Sequence, residues 1–190
     1  MTVETITMQL TGCRPLLMHS GRLADPLDPI ARDLAKLTGK RLKTAADHEE
    51  IARVEWNGSL WLSGGKPCIP SEAIEGTFIN AARSRRKAKA ACAGIMVMEA
   101  CPLQYDGPSD LDELWEDPAF RLRRPVRVRN ARPIRTRPRF AEWRVKTTVN
   151  FTPSLLDRAE VLEIFAIAGA QEGIGDWRPK YGRFTVEVTD

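Results

Sequence analysis

Eleven cations crowd residues 121–146: Arg121, Arg123, Arg124, Arg127, Arg129, Arg132, Arg135, Arg137, Arg139, Arg144 and Lys146, against the single acid Glu142. The local charge is +10, which leaves −6 for the rest of a chain whose total is +4. Guanidinium groups fork onto phosphate oxygens and stack on flat rings, so the asymmetry points to a polyanionic partner for an otherwise acidic body. Val126, Val128 and Ile134 are interleaved with the arginines, and the prolines of the segment exclude a helix. The expected form of Pro125 to Arg139 is an extended arm or a two-stranded ribbon with one cationic face. Phe140 and Trp143 stand beside it as rings on which bases could stack. The alternatives are a solvated basic loop and a face that pairs with the acids preceding it.

A second concentration of chemistry is Gly173-Ile174-Gly175-Asp176-Trp177-Arg178-Pro179-Lys180-Tyr181-Gly182-Arg183-Phe184. Glycine lets backbone approach a ligand closely, and free N–H groups with cations nearby favour a phosphate. Gly173, Gly175, Trp177, Arg178, Lys180 and Arg183 are therefore candidate contacts. The same residues also read as a helix C-cap at Gly173 followed by an ordinary turn. Arg83, Arg85, Arg86, Lys87 and Lys89 charge the last turns of an earlier helix, where they complement its dipole; Arg83 and Arg86 are further candidates for a polyanion. His19, one of two histidines, follows the first strand and is the one candidate acid or base for cleavage of RNA at a ribose 2′-hydroxyl. His48 falls in a predicted helix.

Several classes are set aside by what the sequence lacks. Cys13, Cys68, Cys92 and Cys101 form no CxxC pair, so neither a zinc ribbon nor a redox motif is indicated. The acids Asp106, Asp110, Asp112, Glu113, Glu116 and Asp117 show no ligand spacing and read as a solvated insertion; no metal or cofactor is expected. The first residues have no cationic start followed by an apolar run, and no stretch approaches the roughly 18 apolar residues of a membrane span. A cytoplasmic protein with reduced thiols and no membrane contact is the expectation.

The elements that must position these groups follow from hydrophobic periodicity. Ile6, Met8 and Leu10 alternate with polar neighbours, predicting a strand from Glu4 to Gly12. Short helices are predicted over Asp28 to Leu37 and from Thr44; after the hairpin signal Asn57-Gly58, Ser59 to Leu62 and Cys68 to Pro70 read as short strand or loop pieces of a small hairpin around Gly64-Gly65. A main helix begins at Ser71 and runs to Gly94, followed by an apolar strand over Ile95 to Leu103. Trp143, Val145, Thr147, Val149 and Phe151 alternate in a further strand; Thr152-Pro153-Ser154 caps a helix from Leu155 to Ala170, and Arg183 to Val188 closes as a strand. Stripped of insertions, the order is strand, helix, strand, strand, helix, strand, the α+β, ferredoxin-like (split βαβ) arrangement. With 190 residues and 43% hydrophobic content, one domain is expected over 1–190, with insertions at about 15–58 and 106–141.

The stretch Lys66-Pro67-Cys68-Ile69-Pro70-Ser71-Glu72-Ala73-Ile74-Glu75-Gly76 resembles the Ile-Pro-x-Ser-x-[apolar]-[polar]-Gly signature that opens the first helix in the RAMP superfamily, the repeat-associated RNA-binding proteins of CRISPR systems. The late glycine loop is that superfamily's other mark. The sequence is similar in particular to backbone subunits that polymerise along guide RNA, in which a basic hairpin is inserted in a ferredoxin-like core. Residues 15–58 are long for a strand-to-helix connection in that family, and Ser71 directly follows Pro70 where the family has a glycine between. The resemblance implies a non-catalytic subunit that binds single-stranded guide RNA within a ribonucleoprotein and associates with itself or with other subunits. The arginine arm would grip phosphates and the loop would touch the backbone. A metal-independent endoribonuclease using His19, and a single-stranded DNA-binding or assembly protein, are the alternatives.

Overall fold

The computed structural model describes residues 2–127 and 131–189. In chain order the elements are β1 (Glu4–Gly12), β2 (Leu16–Leu17), α1 (Pro29–Gly39), α2 (Ala45–Ser59), β3 (Leu62–Ser63), β4 (Lys66–Ile69), α3 (Ser71–Ala82) and α4 (Ala88–Gly94). They continue as β5 (Ile95–Val97), β6 (Cys101–Pro102), α5 (Leu111–Glu116), β7 (Arg121–Pro125), β8 (Ile134–Phe140), β9 (Arg144–Phe151), α6 (Arg158–Ile167) and β10 (Phe184–Val188). The architecture is α+β, and the elements gather into two compact units. One is built from Met1–Leu16, Leu62–Asp106 and Ala141–Asp190; the other joins Leu17–Trp61 to Gly107–Phe140.

In the first unit β1 lies in the middle of an antiparallel sheet of order β10-β1-β9-β5. The period of two read from the sequence sets its faces. Ile6 sits opposite Val149 and Leu10 opposite Val145, and all four are buried, together with Met8 and Phe151. Phe78 of α3 meets Phe165 of α6 with ring centroids 4.7 Å apart. Side chains of this size stabilise by roughly 1.5–3 kcal/mol each when fully buried, so this layer is the unit's core. The opposite face of the β1–β9 pair presents Thr5, Thr7, Gln9 and Thr11 against Asn150, Thr148, Lys146 and Arg144, with no aromatic among them.

Several boundaries differ from the sequence reading, each for a local reason. Asn57-Gly58 makes no hairpin: both residues lie in the last turn of α2, where a Cβ on Gly58 would collide with Leu23 and Ile30. The small hairpin does lie around Gly64-Gly65, as the sequence suggests: both are at positive φ and join β3 to β4. The long helix expected from Ser71 to Gly94 breaks at Arg86, which adopts a left-handed conformation (φ 57°). Strand Ile95 to Leu103 is two short pieces, β5 and β6. The last helix starts at Arg158 rather than Leu155, because Asp157 and Glu160 form a reciprocal capping box with each other's backbone N–H.

Burial pushes the Cys68 and Cys101 thiols up from their ordinary pKa, whereas Cys13 and Cys92 are exposed. Thiolate is the reactive form. At pH 8 an aromatic disulfide reagent should therefore label two of the four thiols quickly in the folded protein, and all four in denaturant. Rapid labelling of Cys68 or Cys101, identified by peptide mapping, would contradict this packing.

Candidate nucleic-acid interface

The second unit carries most of the arginine segment. β7 and β8 pair antiparallel, with Arg124 opposite Arg135 and Leu122 opposite Arg137 on one face, and Arg123 opposite Thr136 on the other. The ribbon rests on α2, whose start is held by a capping box between Thr44 and Asp47. The Lys40 ammonium and the Thr44 donors keep the Asp47 carboxyl well below the usual range.

Glu55 of α2 is only 3% exposed, and three donors from β8 converge on it. The Thr136 N–H donates to Oε2 at 2.8 Å, and Arg135 and Arg137 donate to Oε1 at 3.2 and 3.0 Å. A buried carboxylate is tolerable only when paired and hydrogen-bonded. Arg137 is itself buried (5% exposed), so this expected phosphate contact is part of the scaffold, and Arg135 is half committed to it. Arg139 donates to the Ala119 carbonyl. Arg121 lies 4.6 Å from the centre of the Trp115 ring and donates to the Glu116 carbonyl.

Arg123, Arg124, Arg127 and Arg132 are exposed, and Arg129 lies outside the described residues. β7 is exposed over its last three residues, Arg123 to Pro125, so the neighbouring Arg123 and Arg124 reach solvent although they stand on opposite faces of the ribbon. The preceding acids serve other ends. Asp110 and Asp117 cap the turns that follow them, and Asp112 pairs with Arg53 at 2.7 Å.

The expected stacking rings are not on offer at this ribbon. All six phenylalanines are buried, Phe140 among them. Trp143, in the first unit, is 3% exposed, donates its indole N–H to the Arg14 carbonyl at 2.9 Å and packs on Phe184. Its alternation with Val145 and Val149, which marked a strand, is the same pattern that points it into the core.

In the first unit the glycine loop is joined to α3. The Thr77 hydroxyl donates to the Gly173 carbonyl, so the helix opened by the Ile69-Pro70-Ser71 motif grips the start of the loop. Ile174 and Gly182 then bridge the loop, N–H to carbonyl at 2.9 Å, and Gly182 donates to the Pro15 carbonyl at 2.8 Å. Gly173 and Gly182 have φ of 72° and 70°, and a Cβ on Gly182 would collide with the Ile174 carbonyl. These two glycines therefore serve the loop's own closure. Gly175 (φ 91°) and Trp177 (φ 54°) shape the tip. Arg178 and Lys180 are exposed there, Trp177 and Tyr181 are half-buried with ring centroids 5.9 Å apart, and Arg183 donates to the Pro179 carbonyl.

Arg83 and Arg86 are also exposed in this unit, while neighbouring Arg85 and Lys87 pair with Glu163 and Glu160. His19 is exposed in the second unit. Among the described residues no three His, Cys, Asp or Glu side chains gather as a metal site, and no helix is long and apolar enough to cross a membrane. No protein-family model matches the sequence, and no curated protein matches it.

The Glu55 cluster makes a sharp demand on stability. Glu55→Ala removes the buried carboxylate on which Arg135, Arg137 and the Thr136 N–H converge and should destabilise the second unit by about 3–5 kcal/mol, with amide exchange accelerating in α2 and β8. A loss below about 1 kcal/mol in denaturant titration would mean that water reaches this carboxylate.

Proposed function

We propose that the protein is a non-catalytic subunit that binds single-stranded RNA, with a ferredoxin-like core of the RAMP type and a guide RNA within a CRISPR-type ribonucleoprotein as its ligand. The sheet order β10-β1-β9-β5, with α3 between β1 and β5 and α6 between β9 and β10, supports the reading of the core. The contact between Thr77 and Gly173 supports treating the motif helix and the glycine loop as one device. The observation that carries the proposal is the exposed set Arg123, Arg124, Arg127 and Arg132, left over after Arg137 and Arg135 have been drawn onto Glu55.

These arginines supply the sequence-independent attraction of a phosphate backbone. In the first unit Arg178 and Lys180 add cations beside Trp177, whose partly open ring suits a stacked base better than buried Trp143 does. Flexible single strands fit such scattered cations better than a rigid duplex, whose recognition requires an element shaped to a groove. Self-association and contacts with other ribonucleoprotein subunits belong to the same proposal.

The test is a gel-shift and fluorescence-anisotropy titration of a single-stranded RNA with the Arg124→Glu, Arg127→Glu, Arg132→Glu triple variant. Affinity should fall by about tenfold or more near physiological salt, and the slope of log affinity against log salt should shrink by roughly two, since each single-strand phosphate contact contributes about 0.7. Unchanged affinity and slope would remove the ribbon from the interface. A matched DNA strand should compete less well than RNA if ribose hydroxyls are read.

A further inference from the structure

The second unit contains a cleft of about 290 Å³ between α2 and the β7–β8 ribbon, near the lower edge of the roughly 300–1,000 Å³ range of small-ligand pockets. Its lining combines two chemistries. Ile51, Ala52, Pro133 and Ile134 give it an apolar part, and Ile134 is 48% exposed although large and hydrophobic. Lys43, Arg123 and Arg135 bring three cations against the one carboxylate of Glu55, and the His48 ring stands among them. An apolar slot with a cationic rim suits a ligand that is flat and apolar at one end and anionic at the other.

A neighbouring larger cleft, of about 750 Å³, makes the contrast. There Arg53, Arg121 and Arg123 are balanced by Glu49, Glu50 and Glu116, and Arg121 is held on Trp115. Its balanced charge does not favour an anion, whereas the smaller cleft has a cationic excess. Arg123 lines both, so a phosphate drawn to it is directed by the surrounding charge toward the side of Lys43 and Arg135.

We infer that this cleft seats one nucleotide of the bound strand, the base against Ile51, Pro133 and Ile134, and the phosphate at Lys43, Arg123 and Arg135. This rests on the RNA-binding reading and adds to it a defined subsite, where the exposed arginines alone would give only diffuse attraction. The rigid floor comes from Glu55, which fixes Arg135 and the Thr136 backbone against α2. Preorganisation of this kind lowers the entropy cost of holding a ligand.

Calorimetric titration of the full chain with AMP, GMP, CMP and UMP, and with ribose 5-phosphate and inorganic phosphate, tests it. At least one mononucleotide should bind about tenfold more tightly than ribose 5-phosphate. Ile134→Asp, a change at a half-exposed side chain, and Lys43→Glu should each weaken that binding about tenfold while thermal melting shows the fold retained. If no mononucleotide binds, and Ile134→Asp leaves RNA affinity at the wild-type value, the nucleotide seat is overturned and RNA binding stands. If the wild-type protein binds mononucleotides but no RNA strand, the RNA-binding reading is overturned instead, and the seat has no strand to serve.

Discussion

A carboxylate that cannot reach water organises the second unit. Glu55 is held by one backbone N–H and two guanidiniums that all come from three consecutive residues, Arg135 to Arg137, about eighty positions further along the chain. Replacing such a cluster with apolar side chains often leaves stability equal or greater, so its contribution lies in specifying an arrangement rather than in raw stability. The arrangement here is strand register. A slip of one residue would turn every β8 side chain to the opposite face and take the Thr136 N–H away from Glu55. With Arg137 pinned inward, the arginines that remain at the surface include Arg123 and Arg124, one on each face of the exposed end of β7. Trp56, next to Glu55 and fully buried, donates its indole N–H to the Phe120 carbonyl at 2.9 Å and ties the same helix to the turn that enters β7.

The first unit solves a different problem, that of holding an irregular loop without helix or ladder. Close approach does this. A Cβ on Gly169 would collide with the Phe184 carbonyl, one on Gly182 with the Ile174 carbonyl, and the Thr77 hydroxyl closes the remaining end. Glycines that looked ligand-facing are thus occupied by the chain itself, and what reaches solvent is the tip with Arg178 and Lys180. The C-cap reading of Gly173 and the binding reading of the loop are compatible, because the cap builds the base and the tip carries the charge.

Period and capping chemistry were readable from the sequence, and burial of polar types was not. β1 begins and ends where its alternation does, because one side of the sheet is packed and the other is not. The helix start at Arg158 was open to the same reasoning, since an acid at Asp157 with Glu160 three residues on is a stronger signal than Thr152-Pro153-Ser154. The Asn57-Gly58 dipeptide signals a hairpin only in extended chain, and here the packing of Leu23 and Ile30 on Gly58 keeps the helix going. Arg137 and Trp143 are candidates by residue type, yet their fate is set by Glu55 and Arg14, 82 and 129 positions away. A trace of the first was present: Glu55 falls on the same helical face as Ala52, Trp56 and Ser59, all buried, and an acid among such neighbours asks for a cation from elsewhere.

The remaining charge needs a physical account. The acids just before the ribbon offered a way to neutralise it internally, but Asp110 and Asp117 are used as caps and Asp112 pairs with Arg53 of α2. Arg124 therefore faces Arg135 across the ladder, and directly opposed like charges are destabilising in a sheet. Solvent screening reduces that repulsion, with a Debye length of about 8 Å at physiological salt, and Glu55 relieves part of it by holding Arg135. A bound anion would lower what is left of that repulsion. An anion that relieves repulsion already present in the free protein gains affinity beyond its own contacts, because binding and folding are linked through the same charges. On the RNA reading, the strain of packing arginine against arginine is therefore not a defect of the ribbon but the source of part of its attraction for phosphate.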